Sequence, residues 1–487
     1  MQKYFLTIVL LILGLTLSSQ SVEFENYKFE ASDGRIVDTE LGTLLVPENR
    51  EVEDSRKIKV KFVRFKSISD NPGSPIVYLA GGPGGSGIDA ARGSRFDMFM
   101  ALREIGDVIA FDQRGTGMSD AFLKYNGYWI IDPTTAMDRE EAGPIIQEET
   151  KKAVAYWKDQ GIDVAAYNSN SSADDIDELR EALGAEKVNL VGISYGTHLS
   201  LTYLKRHEKK VDHIILAGVE GYDHTVKLPL DQQVLMEEID RLIKEDPIAS
   251  KAYPDFLGDV KKLLDHLEVA PAEIPTINPL TGQPMIVMAG KMEMQILLSM
   301  MLRGPSLFKS MPLEVKQMLN GDFSSMKDWI LYTHVGQFRG MSLPMDVASG
   351  ITEERLILLK EQREKTLLGD AINWPYLEQW KALEGFDLGD EFRSSFYSEK
   401  PVLCISGTLD GRTPPGNAVE TLKDLPNGKH LTIKGAGHSD PLFLSSPRIV
   451  EVMLSFLGGK EVQDETIKLP PVEWSLPDES DDQSAKG

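Results

Sequence analysis

The chain has 487 residues, 41% of them hydrophobic and 26% charged, enough apolar sequence to bury a large core or two domains, so a mainly disordered polymer is excluded. Its 75 acids against 52 bases give a formal net charge of -23, which repels phosphates and anionic membrane surfaces and argues against a DNA or RNA partner. The only cysteine, Cys404, lies in the apolar run Pro401–Ile405; it rules out an internal disulfide, reads as a core residue, and has no neighbour that would lower its pKa for nucleophilic work.

In chain order, Lys3 precedes fourteen residues, Tyr4 to Leu17, that are apolar apart from two threonines and a glycine, and small polar residues follow at Ser18–Ser21. The run is short of the roughly 20 residues a membrane-spanning helix needs and matches a secretory signal peptide over 1–21, cleaved near Val22. This predicts export to a periplasmic or extracellular compartment, with no stable membrane insertion of the mature chain. From Phe24 to Ser67 the pattern alternates as in half-buried antiparallel strands, for example Lys57 to Phe65. Continuous apolar runs of the buried parallel kind follow at Pro75–Ala80, Asp107–Phe111, Val188–Ile193 and Ile214–Ala217. Helical patterns separate them: Ala90–Glu104, Ile145–Asp159, Ser172–Leu183 with Ser172 and Asp174 as capping residues, and Tyr195–Arg206. This alternation predicts a doubly wound, mostly parallel sheet for a core over 22–224.

Between 225 and 398 the strand signal fades into helical, Met-rich, Pro-punctuated sequence, which predicts an inserted helical cap. The strand-helix rhythm resumes over 399–457, with strands at Pro401–Ser406 and His430–Lys434 and a helix at Pro447–Leu457. Residues 458–487, with Leu469-Pro470-Pro471 and the acidic stretch Asp478–Asp482, predict a flexible tail that Trp474 could dock locally.

Gly192-Ile193-Ser194-Tyr195-Gly196 stands between the apolar run at 188–191 and a helical pattern, the place of a nucleophile elbow, where flanking glycines avoid collision with neighbouring backbone. A serine hydroxyl needs a base, and that imidazole needs an acid to fix its tautomer. Asp410 follows the strand ending at Ser406, and His438 follows the next strand on the glycine-rich turn Gly435–His438. The order Ser194, Asp410, His438 is the α/β-hydrolase order and differs from the chymotrypsin and subtilisin orders. His198, His207, His213 and His430 sit within helices or at element ends and have structural readings. Oxyanion donors are expected from the backbone N–H of Tyr195 and from the glycine loop Gly81–Gly87, with Gly82 first and Gly81 next. That loop lacks the Lys-Ser/Thr of a phosphate-binding loop.

Five segments, GGPGGSG at 81–87, DQRGTGMSD at 112–120, GISYGT at 192–197, LDGRTP at 409–414 and GAGH at 435–438, together resemble the prolyl iminopeptidase and tripeptidyl aminopeptidase family of α/β-hydrolases. The resemblance spans most of 40–457 and is nearer to the secreted tripeptidyl branch in the length of the cap. It implies that Ser194, Asp410 and His438 form the triad, that Gly82 and Tyr195 form the oxyanion hole, that Asp112 and Arg114 brace the surrounding loops, and that no cofactor or metal is needed. Secreted relatives often carry cap cysteines near positions resembling Met341–Ser349 and Ala371–Trp374; this chain has none, so its cap is held differently.

The function expected is acyl transfer from peptide to water, an aminopeptidase acting on peptides with a free N-terminus, with a carboxylesterase of the same fold as the alternative. An aminopeptidase needs an acid for the substrate ammonium. Glu220, Glu237, Glu238 and Asp346 are all eligible, a surface carboxylate is the plainer reading of each, and the sequence does not choose. The methionines Met285, Met288, Met292, Met294, Met300 and Met301 read as cap core rather than as pocket.

Overall fold

In a computed structural model that describes residues 22–119, 124–278, 281–383 and 385–477, ten strands form one sheet. The signal peptide over 1–21 and the acidic stretch at Asp478–Asp482 lie outside the described residues. Numbered in chain order, the strands are β1 (Glu23–Glu30), β2 (Ile36–Pro47), β3 (Lys57–Phe65), β4 (Ile76–Leu79), β5 (Val108–Phe111), β6 (Val188–Ser194), β7 (Val211–Val219), β8 (Val402–Gly407), β9 (Gly428–Lys434) and β10 (Glu465–Lys468). Their order across the sheet is 1-2-3-5-4-6-7-8-9-10. The first three pair antiparallel with one another and β3 pairs antiparallel with β5; every later pairing is parallel. The chain therefore has the α/β-hydrolase architecture.

Strand alternation explains why the central runs are apolar throughout. Val77 and Leu79 of β4 join one core layer with Ile109, Leu190 and Leu216, while Ile76 and Tyr78 join the opposite layer with Val108, Val191 and Ile215. Both faces are covered by helices, so neither parity can be polar. Cys404 belongs to this core, and burial pushes its thiol up to about 12.

Four local expectations change. The helix expected over Ala90–Glu104 is two, Gly87–Arg92 and Phe96–Leu102, parted at Gly93, whose N–H closes the first on Asp89 O at 3.0 Å. The helix expected from Ser172 begins at Ser169, because Asn168 has extended backbone and its side chain accepts from Ser171 N at 2.9 Å. Ser172 is buried inside that helix, and Asp174 instead pairs with Arg206 and His207. The inserted segment is not purely helical: Ala272–Ile277 and Pro284–Ala289 form a hairpin, and Val335–Arg339 pairs with Lys124–Ile130 from the earlier part of the chain.

The segment expected to be a flexible tail is ordered as far as 477. β10 adds parallel to β9 at the sheet edge, Trp474 packs on Phe308 at 6.1 Å between ring centroids, and Ser475 N donates to Lys309 O at 3.0 Å. The tail thus bridges the sheet and the inserted segment. That segment has its own apolar core, where Met236, Met294, Met311 and Met318 pack with Leu263, Leu298 and Phe308.

Candidate active site

At the end of β6, Ser194 adopts φ 55° and ψ -126°, a left-handed conformation that a serine occupies only when its surroundings impose it. The next residue, Tyr195, already begins the helix Tyr195–His207. The flanking glycines are sterically required. A Cβ on Gly192 would come within 2.4 Å of Gly196 O, and one on Gly196 within 2.0 Å of Leu79 O. A Cβ on Gly81 would meet Ile193 O at 2.8 Å, so the glycine loop after β4 lies directly against the elbow. Among the described residues the Ser194 hydroxyl has no hydrogen-bond partner, and it lines a cavity together with His438. Such bonds are often long before substrate binds.

Asp410 and His438 stand on the turns after β8 and β9, and His438 Nδ1 lies 2.8 Å from Asp410 Oδ2. The Asp410 carboxylate is fully engaged: Oδ1 accepts from the N–H groups of Arg412 and Thr413 at 2.8 and 2.9 Å, and Oδ2 from Thr413 Oγ1 at 2.7 Å. Burial works against its ionisation, but the adjacent imidazole and these hydrogen bonds outweigh it and hold the carboxyl below its usual range. The His438 N–H donates to Arg303 O at 2.7 Å, and the following Ser439, at φ 80°, is held through its Oγ by Arg95 at 3.0 Å. Arg95 also pairs with Asp440 at 2.8 Å. The imidazole is therefore fixed from both sides of its turn.

The loop carrying the expected oxyanion donor is braced by Asp112 and its neighbours. Asp112 accepts from Ser86 Oγ at 2.7 Å, Ile88 N at 3.1 Å and Met118 N at 2.7 Å, and Gln113 Nε2 donates to Ala80 O at 3.2 Å. Arg114 makes a two-pronged contact with Asp175 at 2.7 Å on each prong and donates to the carbonyls of Glu48 and Ala166. Gly82, at φ 128°, stands on the cavity wall beside Ser194, and the Tyr195 N–H is at the start of its helix, where it has no partner within the helix. The Tyr195 phenol is buried on Ser169 Oγ at 2.8 Å, so its side chain is structural.

Two cavities meet at this serine. The larger, 870 Å³, is lined by Ser194, His438, Gly82, Leu297, Met300, Met301, Leu307, Trp329, Arg303 and Arg412. The smaller, 180 Å³, is lined by Ser194, Gly82, Glu220, Lys227, Asp346, Trp374, Tyr376 and Arg412. Ser194, Gly82 and Arg412 belong to both walls.

Of the four eligible acids, the structure brings Glu220 and Asp346 to the small cavity and leaves the other two elsewhere. Glu238 pairs with Arg241 at 2.7 Å, and Glu237 accepts from Gln233 Nε2 at 3.0 Å. Glu220 pairs with Lys227 Nζ at 2.6 Å; burial opposes its charge, but that ammonium prevails and keeps the carboxyl below its usual range. The Asp346 carboxylate has no hydrogen-bond or ion partner among the described residues. Burial first, and the Glu220 charge second, push it well above the usual carboxylate range. Met300, read from sequence as core, is exposed on the large cavity; Met301 belongs to the core as expected and also lines that cavity, and Met294 is core throughout.

His198 and His430 are engaged away from the serine. His198 is buried, donates from Nδ1 to Gly221 O at 3.0 Å and meets Ser349 Oγ at 3.2 Å; His430 Nε2 meets Ser406 Oγ at 2.9 Å. Among the described residues no group of three or more His, Cys, Asp or Glu side chains is placed to hold a metal ion.

Comparison with known proteins finds α/β-hydrolases and serine peptidases similar to this chain. Residues 74–258 match the family described as alpha/beta hydrolase fold, and 374–466 match the one described as TAP-like protein. Serine protease Hip1 of Mycobacterium tuberculosis is 32% identical over 184 residues, 36% of this chain and 35% of that protein. Tripeptidyl aminopeptidase of Streptomyces coelicolor is 29% identical over 140 residues, 26% of this chain and 25% of that protein. Proline iminopeptidase of Xylella fastidiosa is 27% identical over 170 residues, 34% of this chain and 38% of that protein. The matches thus span between a quarter and two-fifths of the length of these relatives.

Proposed function

We propose that this chain, an α/β-hydrolase similar to serine peptidases, is an aminopeptidase that uses Ser194, His438 and Asp410 to release residues from the free N-terminus of peptides. In this reading the substrate amino end enters the small cavity and the leaving peptide lies in the large one. The observation that carries it is the position of Ser194 on the wall shared by two cavities, the smaller of which holds the unpaired carboxylate of Asp346. A substrate ammonium supplies the counter-charge that an unpaired, half-buried carboxylate lacks.

Ser194 Oγ attacks the carbonyl carbon while His438 takes the hydroxyl proton, and Asp410 holds the imidazolium through Nδ1–H. The carbonyl oxygen becomes an oxyanion bound by the N–H groups of Tyr195 and Gly82; one such donor contributes about 2.7 to 4 kcal/mol. His438 returns the proton to the leaving amine, the C–N bond breaks, and an ester to Ser194 remains. Water then adds, giving its proton to His438, and the ester opens to a free carboxylate and the restored serine. The small cavity, 180 Å³ against the roughly 300 Å³ at which drug-sized pockets begin, favours a short acyl group.

The same reading includes export, on the pattern of Met1–Ser21; among the described residues no helix is long and apolar enough to cross a membrane. The test is a peptide library incubated with wild type and Ser194→Ala and read by product mass. Loss of one, two or three N-terminal residues, blocked by N-acetylation and absent in Ser194→Ala, is expected. Cleavage indifferent to N-acetylation, or ester turnover far above that of any peptide, would replace the aminopeptidase with an endopeptidase or a carboxylesterase.

A further inference from the structure

The large cavity carries a charge that the chain as a whole does not. Among its titratable lining residues, His438 is held by Asp410 at 2.8 Å, Asp89 is paired with Arg92 at 2.8 Å, and Asp440 is paired with Arg95 at 2.8 Å and accepts from Ser94 Oγ at 2.5 Å. Arg303 and Arg412 remain: neither guanidinium has an ion pair or hydrogen bond among the described residues. In a protein of net charge -23 these two cations stand unpaired beside the serine.

Their positions are set by the site itself. Arg303 O accepts the His438 N–H at 2.7 Å, and a Cβ on Gly437 would lie 2.4 Å from Gly304 Cα, so the two turns are in close contact. Arg412 is two residues beyond Asp410 and donates its N–H to that carboxylate at 2.8 Å. Arg412 reaches the wall common to both cavities, while Arg303 is exposed and lines only the large one. Burial draws the Arg412 guanidinium below its ordinary range; the charges of Glu220, Asp410 and Asp346 oppose that shift without cancelling it, and the Arg303 charge adds to it. A carboxylate between them would relieve both effects, and a guanidinium fork is suited to that anion.

We infer that Arg303 and Arg412 form a carboxylate-binding site for the leaving peptide, so that this enzyme acts best on short peptides whose own C-terminal carboxylate reaches the arginines. The inference rests on the aminopeptidase reading, because it requires the leaving peptide to occupy the large cavity. A long leaving peptide carries its terminus beyond Arg412, whereas a di- or tripeptide presents it near the scissile bond.

The test compares Ala-Ala, Ala-Ala-Ala and Ala-Ala-Ala-Ala-Ala as free acids and as C-terminal amides, with Ala-Glu-amide and Ala-Gln-amide to distinguish a side-chain carboxylate from a terminal one. Wild type is expected to favour the short acids over their amides by about tenfold or more in kcat/KM, with the preference fading at five residues. That acid-to-amide ratio should collapse toward one in Arg412→Met, fall less in Arg303→Ala, and be partly retained in Arg412→Lys. A preference for Ala-Glu-amide over Ala-Gln-amide that needs the same arginines would assign the site to an acidic side chain. Equal hydrolysis of acids and amides by wild type, or a preference indifferent to both arginines, overturns the carboxylate site alone. Release of no N-terminal residue from any of these peptides overturns the aminopeptidase reading with it.

Discussion

The sheet and the inserted segment shape the same two cavities by different means. Ser194, Asp410 and His438 stand on turns at one edge of the sheet, each fixed by backbone contacts: an elbow in which a Cβ on Gly196 would strike Leu79 O at 2.0 Å, a carboxylate held by two N–H groups, and an imidazole turn bonded to Arg303 O. Asp346, Trp374 and Arg303 come from the inserted segment, whose own core is packed largely from methionine and leucine. Backbone-fixed groups suit chemistry that tolerates little displacement, whereas side chains on a separately packed layer can change recognition without disturbing it.

The comparison predicts a graded series of effects. Ser194→Ala should lower kcat on the order of 10⁶-fold and leave substrate affinity in place, as measured by isothermal titration with a slow peptide. Asp410→Asn should lower kcat about 10⁴-fold, since the imidazole then loses its tautomeric control; a small effect would mean that another acid orients His438.

Asp346→Asn should act on recognition instead, raising KM roughly 10- to 100-fold for free-amine substrates with kcat little changed. Its pH dependence has a definite sign. Because the Asp346 carboxyl is raised, it is neutral until the pH climbs well above the ordinary carboxylate value, so wild-type KM should fall as pH rises through that region. Stability moves the other way. A raised acid favours the folded state fully below its unfolded pKa and loses that contribution as pH rises through the folded value. The Tm of Asp346→Asn should therefore gain on wild type with increasing pH, and parallel Tm curves would show that folding does not raise this carboxyl.

The smallest effect is expected at the tail. Trp474→Ala should cost about 1–2 kcal/mol and speed hydrogen exchange in Pro305–Phe308, while Val402–Gly407 stays protected. Unchanged exchange at 305–308 would separate the tail from the layer that carries Arg303.

What could be read from the chain follows the same division. The elbow, the acid turn and the histidine turn each leave a local signature: glycines where a Cβ cannot fit, and a polar residue just after an apolar strand. The parallel strands were legible because both parities of β4 through β8 are buried and apolar. Asp346 carries no such mark, since four acids were equivalent in sequence and only tertiary packing sets one of them, unpaired, against a cavity. Arg412 lies inside the motif LDGRTP, but being unpaired is a property of its neighbours and leaves no mark in the sequence. The tail is legible in part: Trp474 marks its dock, which the structure seats on Phe308, whereas the strand Glu465–Lys468 is too short to announce itself and depends on pairing with β9.

The central claim is that Ser194, at the meeting point of the two cavities, is the nucleophile. Intact mass and peptide mapping after treatment with a fluorophosphonate test it directly. One adduct is expected, on Ser194, formed slowly or not at all in His438→Ala and prevented by a competing peptide only when its N-terminus is free. An adduct on another residue, or full peptide cleavage by Ser194→Ala, would contradict it.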